Sequence, residues 1–172
     1  MTRNYFEFFD LPQNLAMDLK DLEKRFYALS RKYHPDVHAR KGPAERAEAE
    51  EATAILNDAY RTLRDPIKRA MYLLKLKGFD IGEQGTKDVP PELLEEVFEF
   101  NMALEEADTA QIENARENFE RMQAVVDDEV EQKFADWDAG RSRDTLAAIR
   151  ALLNRRKYIS NLIAKANVPD RV

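Results

Sequence analysis

The chain has 172 residues and no cysteine; 35 % are charged and 44 % aliphatic or aromatic, and the formal net charge is −6. This composition excludes a disulfide framework, a thiolate metal site and a cysteine nucleophile, and it is too apolar for a disordered chain. Five glycines and sparse β-branched residues argue against an all-β fold, and no run of about 18 apolar residues offers a membrane span. The opening stretch MTRNYFEFFDLP has neither the charged nor the apolar region of a signal peptide, so a cytoplasmic protein is expected.

Charge is segregated along the chain. Residues 20–46 carry eight Lys/Arg against four Asp/Glu, residues 88–138 three against seventeen, and residues 139–172 eight against two. Separate surfaces for separate partners fit this pattern, and so does mutual pairing of acidic and basic helices.

The first long helix starts at Asp18, with Asp21 three residues on in a capping-box-like arrangement. Leu19, Leu22, Phe26, Leu29 and Tyr33 then fall within an arc of roughly 80° and form a core face. Lys20, Lys24 and Arg31 lie almost opposite, with Arg25 and Lys32 beside them, as a basic stripe. Pro35 should end this helix, because proline disfavours the α region for His34 and has no N–H to donate. Two further helices follow: one from Pro43 burying Ala52, Ile55, Leu56, Ala59 and Leu63, another from Pro66 with Asp65 as N-cap.

Three of the five glycines and two prolines fall in GFDIGEQGTKDVPP. Residues 78–90 of this stretch mark a linker between domains at 1–77 and 91–172. Three helices are predicted beyond it, near 91–107, 109–138 and 142–166, with short connections that make neighbours antiparallel. On the first of them Leu93, Val97, Phe100, Leu104 and Ala107 form a core stripe. Leu94, Phe98 and Met102 form a second stripe, about 100 to 180° away, with Glu95, Glu99 and Glu106 beyond it. A wide core face and a binding face rimmed by carboxylates both fit this periodicity.

His34, Pro35 and Asp36 invite a chemical reading that the sequence does not support. No substrate pocket, nucleophile or phosphate loop accompanies them, so catalysis is not expected. His34 and His38 have metal-ligand spacing only on a regular helix, which Pro35 interrupts. Nucleic acid has no aromatic platform here, and the chain as a whole is acidic.

The order of an aromatic N-terminus, a basic amphipathic helix, HPD and then ILNDAYRTLRDPIKRAMY closely resembles the J domain of Hsp40-type co-chaperones, over about residues 3–76. NYFEFFDLP, RAMYLLKLKGFDI and LLEEVFEFNMALEEA extend the resemblance, over essentially the whole chain, to the HscB family of iron–sulfur cluster assembly. The resemblance implies an all-α, L-shaped molecule. Its N-terminal J domain would be an antiparallel hairpin with an HPD loop, and its C-terminal domain an antiparallel three-helix bundle. It implies that His34, Pro35 and Asp36, with Lys20, Lys24, Arg25, Arg31 and Lys32, engage an HscA-like Hsp70 and stimulate its ATP hydrolysis. Leu94, Glu95, Phe98, Glu99, Met102 and Glu106 would hold an IscU-like scaffold protein.

An enzyme, a cofactor, a bound metal, nucleic acid and a membrane are not part of this expectation. A J protein with another client, or a purely structural helical protein, are the alternatives. Three features depart from the family. The N-terminal zinc-binding cysteine module of some eukaryotic relatives is absent, and Met102 stands where an acidic residue is common. Ala151 aligns where members carry an aromatic residue near the scaffold contact.

Overall fold

The computed structural model describes residues 4–38, 42–79 and 89–167. Contacts divide the chain into two compact units, Met1–Gly78 and Phe79–Val172. Of the expected linker at 78–90, residues 80–88 lie outside the described residues. The described residues form eight helices and no strand, and no helix among them is long and apolar enough to cross a membrane.

The first unit begins with α1 (Tyr5–Phe8), which Asn4 and Glu7 close with a reciprocal capping box. Phe6 and Phe9 flank its end and are both buried. Helix α2 (Leu19–Tyr33) starts where the Asp18 carboxylate accepts from the backbone N–H groups of Lys20 and Asp21. It packs antiparallel to α4 (Pro43–Arg64): Phe26 stacks on Tyr60 at 4.3 Å near one end, and the Thr53 hydroxyl donates to the Tyr33 carbonyl near the other. Leu22, Leu56 and Leu63 fill the space between them. Each such side chain contributes about 1.5–3 kcal/mol through burial. Leu19 departs from the expected core face: it is the first residue of α2, beyond the end of the packed hairpin, and it is 53 % exposed.

Asp65 ends α4 and caps α5 (Pro66–Leu76) by accepting from the Lys68 N–H, with Pro66 in the first turn, where a missing donor costs nothing. Tyr72 on α5 ties the N-terminus down. Its hydroxyl accepts from the Tyr5 N–H at 2.9 Å and its ring stacks on Tyr5. Arg69, one turn earlier, is 5 % exposed.

The second unit contains α6 (Pro91–Glu105), α7 (Thr109–Gly140) and α8 (Arg143–Ala166). Glu96 and Phe100 of α6 meet Asn118 and Phe119 of α7, whereas Gln123 and Asp127 of α7 meet Ser160 and Arg156 of α8. Leu93 lies near Met122 and Val126, and Ala103 near Gln111 and Asn114, so α6 and α7 are antiparallel; the pairs of α7 with α8 also run in opposite order, and α6 and α8 therefore run parallel. Phe100, Phe119 and Ile149 are fully buried, and Trp137 nearly so. The expected core stripe of α6 is altered at one end. Ala107 is exposed with φ 53°, because the chain must turn sharply there before Asp108 caps α7; Ala103 packs instead.

Candidate functional site

Two surfaces carry the residues singled out from the sequence, one on each unit. On α2, Lys20, Lys24 and Arg31 are exposed along one stripe, as their spacing requires. Lys32 stands beside them with its ammonium 5.3 Å from the Tyr33 ring centroid. Tyr27 shares the stripe and is 55 % exposed, a residue that the separation of positions into apolar and basic faces overlooked. Its three- and four-residue spacing to Lys24 and Arg31 was the available signal.

Arg25 is engaged differently. Its Nε donates to Asp21 at 2.8 Å, and its Nη1 donates to the carbonyls of Phe9 and Asp10 at 3.0 and 2.9 Å. Asp10 has φ 54°, so Arg25 clamps a left-handed turn. Arg25→Ala is expected to lower stability by about 1–2 kcal/mol, since charge-assisted bonds to carbonyls are lost. A thermal melt unchanged by this variant would refute the clamp.

Helix α2 ends at Tyr33 as expected, yet the chain does not leave helical geometry for long. Pro35 opens a one-turn helix, α3 (Pro35–His38), because its fixed φ and missing N–H suit a first helical position. The His34 and Asp36 side chains are 58 % and 91 % exposed. The Asp36 N–H donates to His34 Nδ1 at 3.2 Å, and an Asp36 carboxylate oxygen is 3.6 Å from the same nitrogen. An imidazole and a carboxylate, both exposed, are thus held together on a short turn.

The second surface is on α6. Leu94, Phe98 and Met102 lie one turn apart and are 40 %, 68 % and 43 % exposed, while Leu93, Phe100 and Ala103 fill the core. The stripe is therefore a surface feature of the bundle and not a widened core face. Glu95, Glu99 and Glu106 are exposed around it. Three large apolar side chains aligned in solvent are unfavourable unless something covers them.

Helix α8 meets α6 near the end of this stripe. Lys165 donates to Asn101 at 2.7 Å, so the parallel register sets Tyr158, two turns before Lys165 on the same face, level with Leu94. Ala151 is two turns further back, beyond the start of α6 at Pro91. Tyr158, half-buried, is the aromatic residue of α8.

Comparison with known proteins follows the same division. A DnaJ domain model matches residues 4–72, and a model of the HSCB C-terminal oligomerisation domain matches residues 89–167. A co-chaperone protein HscB homolog from Paraburkholderia xenovorans is 32 % identical over 154 residues, covering 87 % of this chain and 86 % of the relative. The crystal structure of human co-chaperone protein HscB is similar with a TM-score of 0.73 and 30 % identity, over 96 % of this chain and 81 % of the human one. Chaperone HscB from Vibrio cholerae gives a TM-score of 0.64 and 29 % identity, over 95 % of each chain.

Proposed function

Because this chain belongs to the HscB family of J-domain co-chaperones, we propose that it stimulates ATP hydrolysis by an HscA-like Hsp70 and delivers an IscU-like scaffold to it in iron–sulfur cluster assembly. The observation that carries the client half of this reading is the exposed Leu94, Phe98 and Met102 stripe with glutamates at its rim. Apolar anchors within a charged border are the arrangement that concentrates binding energy in a few side chains.

The Hsp70 half rests on the exposed His34 and Asp36 side chains at the end of a basic helix. Lys20, Lys24, Arg31 and Lys32 steer an acidic partner toward α2 in a salt-dependent way, with screening over about 10 Å at 0.1 M salt. The proline-fixed turn then meets it with little conformational freedom left to lose. Carrying both faces on one chain raises the effective concentration of scaffold and Hsp70 to each other. The protein acts as an adaptor whose product is an encounter, and the ATP chemistry belongs to its partner.

Calorimetric titration with an IscU-type scaffold tests the reading. Leu94→Ala/Phe98→Ala is expected to lose about 2–4 kcal/mol of binding, a weakening of roughly 30-fold or more. Both side chains are exposed, so the bundle should keep its helicity. A folded wild-type chain that does not bind the scaffold would assign the α6 face to another client.

A further inference from the structure

The outer faces of α2 and α6 carry one pattern with opposite charge. On α2, steps of four, three and four residues from Lys20 reach Lys24, Tyr27 and Arg31. On α6, the same steps from Glu95 reach Glu99, Met102 and Glu106. Each row spans roughly 16 Å at 1.5 Å per residue. All eight side chains are exposed. Among the described residues none of the six charges has an ion-pair partner, whereas Arg25 is paired with Asp21 and Arg116 with Glu113.

Alternating steps of four and three residues trace a single seam, the spacing by which two parallel helices meet. With Lys20 set level with Glu95, each position of one row meets its counterpart in the other. Lys24 meets Glu99, Arg31 meets Glu106, and Tyr27 covers Met102 between them. The flanks fit in the same register. Phe98, 68 % exposed, falls over the small Ala28, and Glu23 is set opposite Ala103. An antiparallel contact would instead put Lys24 on Met102 and Tyr27 on Glu99, and the two central matches would be lost.

Both rows belong to one chain, so the surface that each of them fits is present on every other copy. We propose that two copies associate through α2 of one and α6 of the other, parallel and in this register. The contact joins different faces and is therefore heterologous. It is weak and salt-dependent, because exposed ion pairs contribute little one by one. Self-association covers the basic stripe and the carboxylate rim together, so it competes with both partners of the proposed function. That consequence rests on the proposed function; the contact between copies does not.

Sedimentation velocity of the full chain alone, at concentrations up to about 1 mM, tests this with neither partner present. At about 0.05 M salt the wild-type sedimentation coefficient should rise with concentration, and at about 0.5 M the rise should be lost to screening. Lys24→Glu puts two carboxylates together and should weaken association tenfold or more. Adding Glu99→Lys to the same chain restores that pair and should recover association. Lys24→Glu/Glu106→Lys has the same net charge, but it keeps the first repulsion, adds a second at Arg31, and should not recover. All these positions are exposed, so circular dichroism should match the wild type. A wild type that stays monomeric over the whole range at low salt would overturn the proposal. So would equal recovery by the two double variants, because net charge and not register would then govern association. Neither result bears on the scaffold titration, which is read at concentrations where the chain is monomeric.

Discussion

Arg69→Met is expected to lower the stability of the first unit by about 2–4 kcal/mol. The guanidinium is 5 % exposed and lies between two carbonyls distant in sequence. Its Nε and Nη2 donate to the Leu15 carbonyl at 3.0 and 2.7 Å, and its Nη1 donates to the Leu63 carbonyl. Leu15 belongs to the segment between α1 and α2, and Leu63 to the last turn of α4. One planar fork thus joins the start of the fold to the α4–α5 corner. Methionine matches the length and restores some apolar packing, but it leaves both buried acceptors without these donors, at about 1–3 kcal/mol each. The lost desolvation cost of the charge offsets part of that. For a unit of this size the midpoint should fall by roughly 10–25 °C.

Lysine at this position should recover little, since a single ammonium cannot reproduce the fork. Hydrogen exchange gives the sharper readout. Amides of α2, α4 and α5 should exchange faster in the variant, while those of α7 and α8, in the other unit, keep their protection. A melting midpoint within 2 °C of wild type would show that the fork contributes nothing.

Periodicity placed the long helices because their apolar positions recur every three or four residues and their ends are punctuated by Asp18, Asp65, Pro66 and Asp108. It separated Leu93 and Phe100 from Leu94 and Phe98 for the same reason: one residue turns a side chain by about 100°. It could not say whether the second stripe was covered, since coverage depends on where α7 and α8 lie. Arg25 shows a different limit. Its position on the wheel puts it beside the basic stripe, but the left-handed turn at Asp10 is fifteen residues away in sequence, and only the folded chain brings those carbonyls within reach. Arg69 was unread for the same reason. The register between α6 and α8 is likewise set by contacts such as Lys165 to Asn101, which leave no local mark in the sequence.

His34→Gln is expected to reduce stimulation of the partner Hsp70 to its basal ATP turnover while leaving the fold and scaffold binding intact. The side chain is 58 % exposed, so its removal should change stability by no more than about 0.5 kcal/mol. What it removes is geometric. The imidazole Nδ1 accepts from the Asp36 N–H and lies 3.6 Å from the Asp36 carboxylate, so the ring orders the acceptor beside it. Glutamine has a longer, freer chain, and it cannot hold an acceptor toward Asp36 on a rigid ring. Asp36→Asn separates charge from shape: it keeps the volume but removes the carboxylate, and it should fail as completely if an anionic acceptor is what the Hsp70 reads. Lys24→Ala should act elsewhere, slowing association and flattening its salt dependence without lowering the turnover reached at saturation. Steady-state ATPase titrations with the three variants distinguish these roles. Full stimulation by His34→Gln at saturating concentration would mean that the HPD turn contributes only to encounter, and the activating contact would then lie elsewhere on α2, with exposed Tyr27 the first residue to replace.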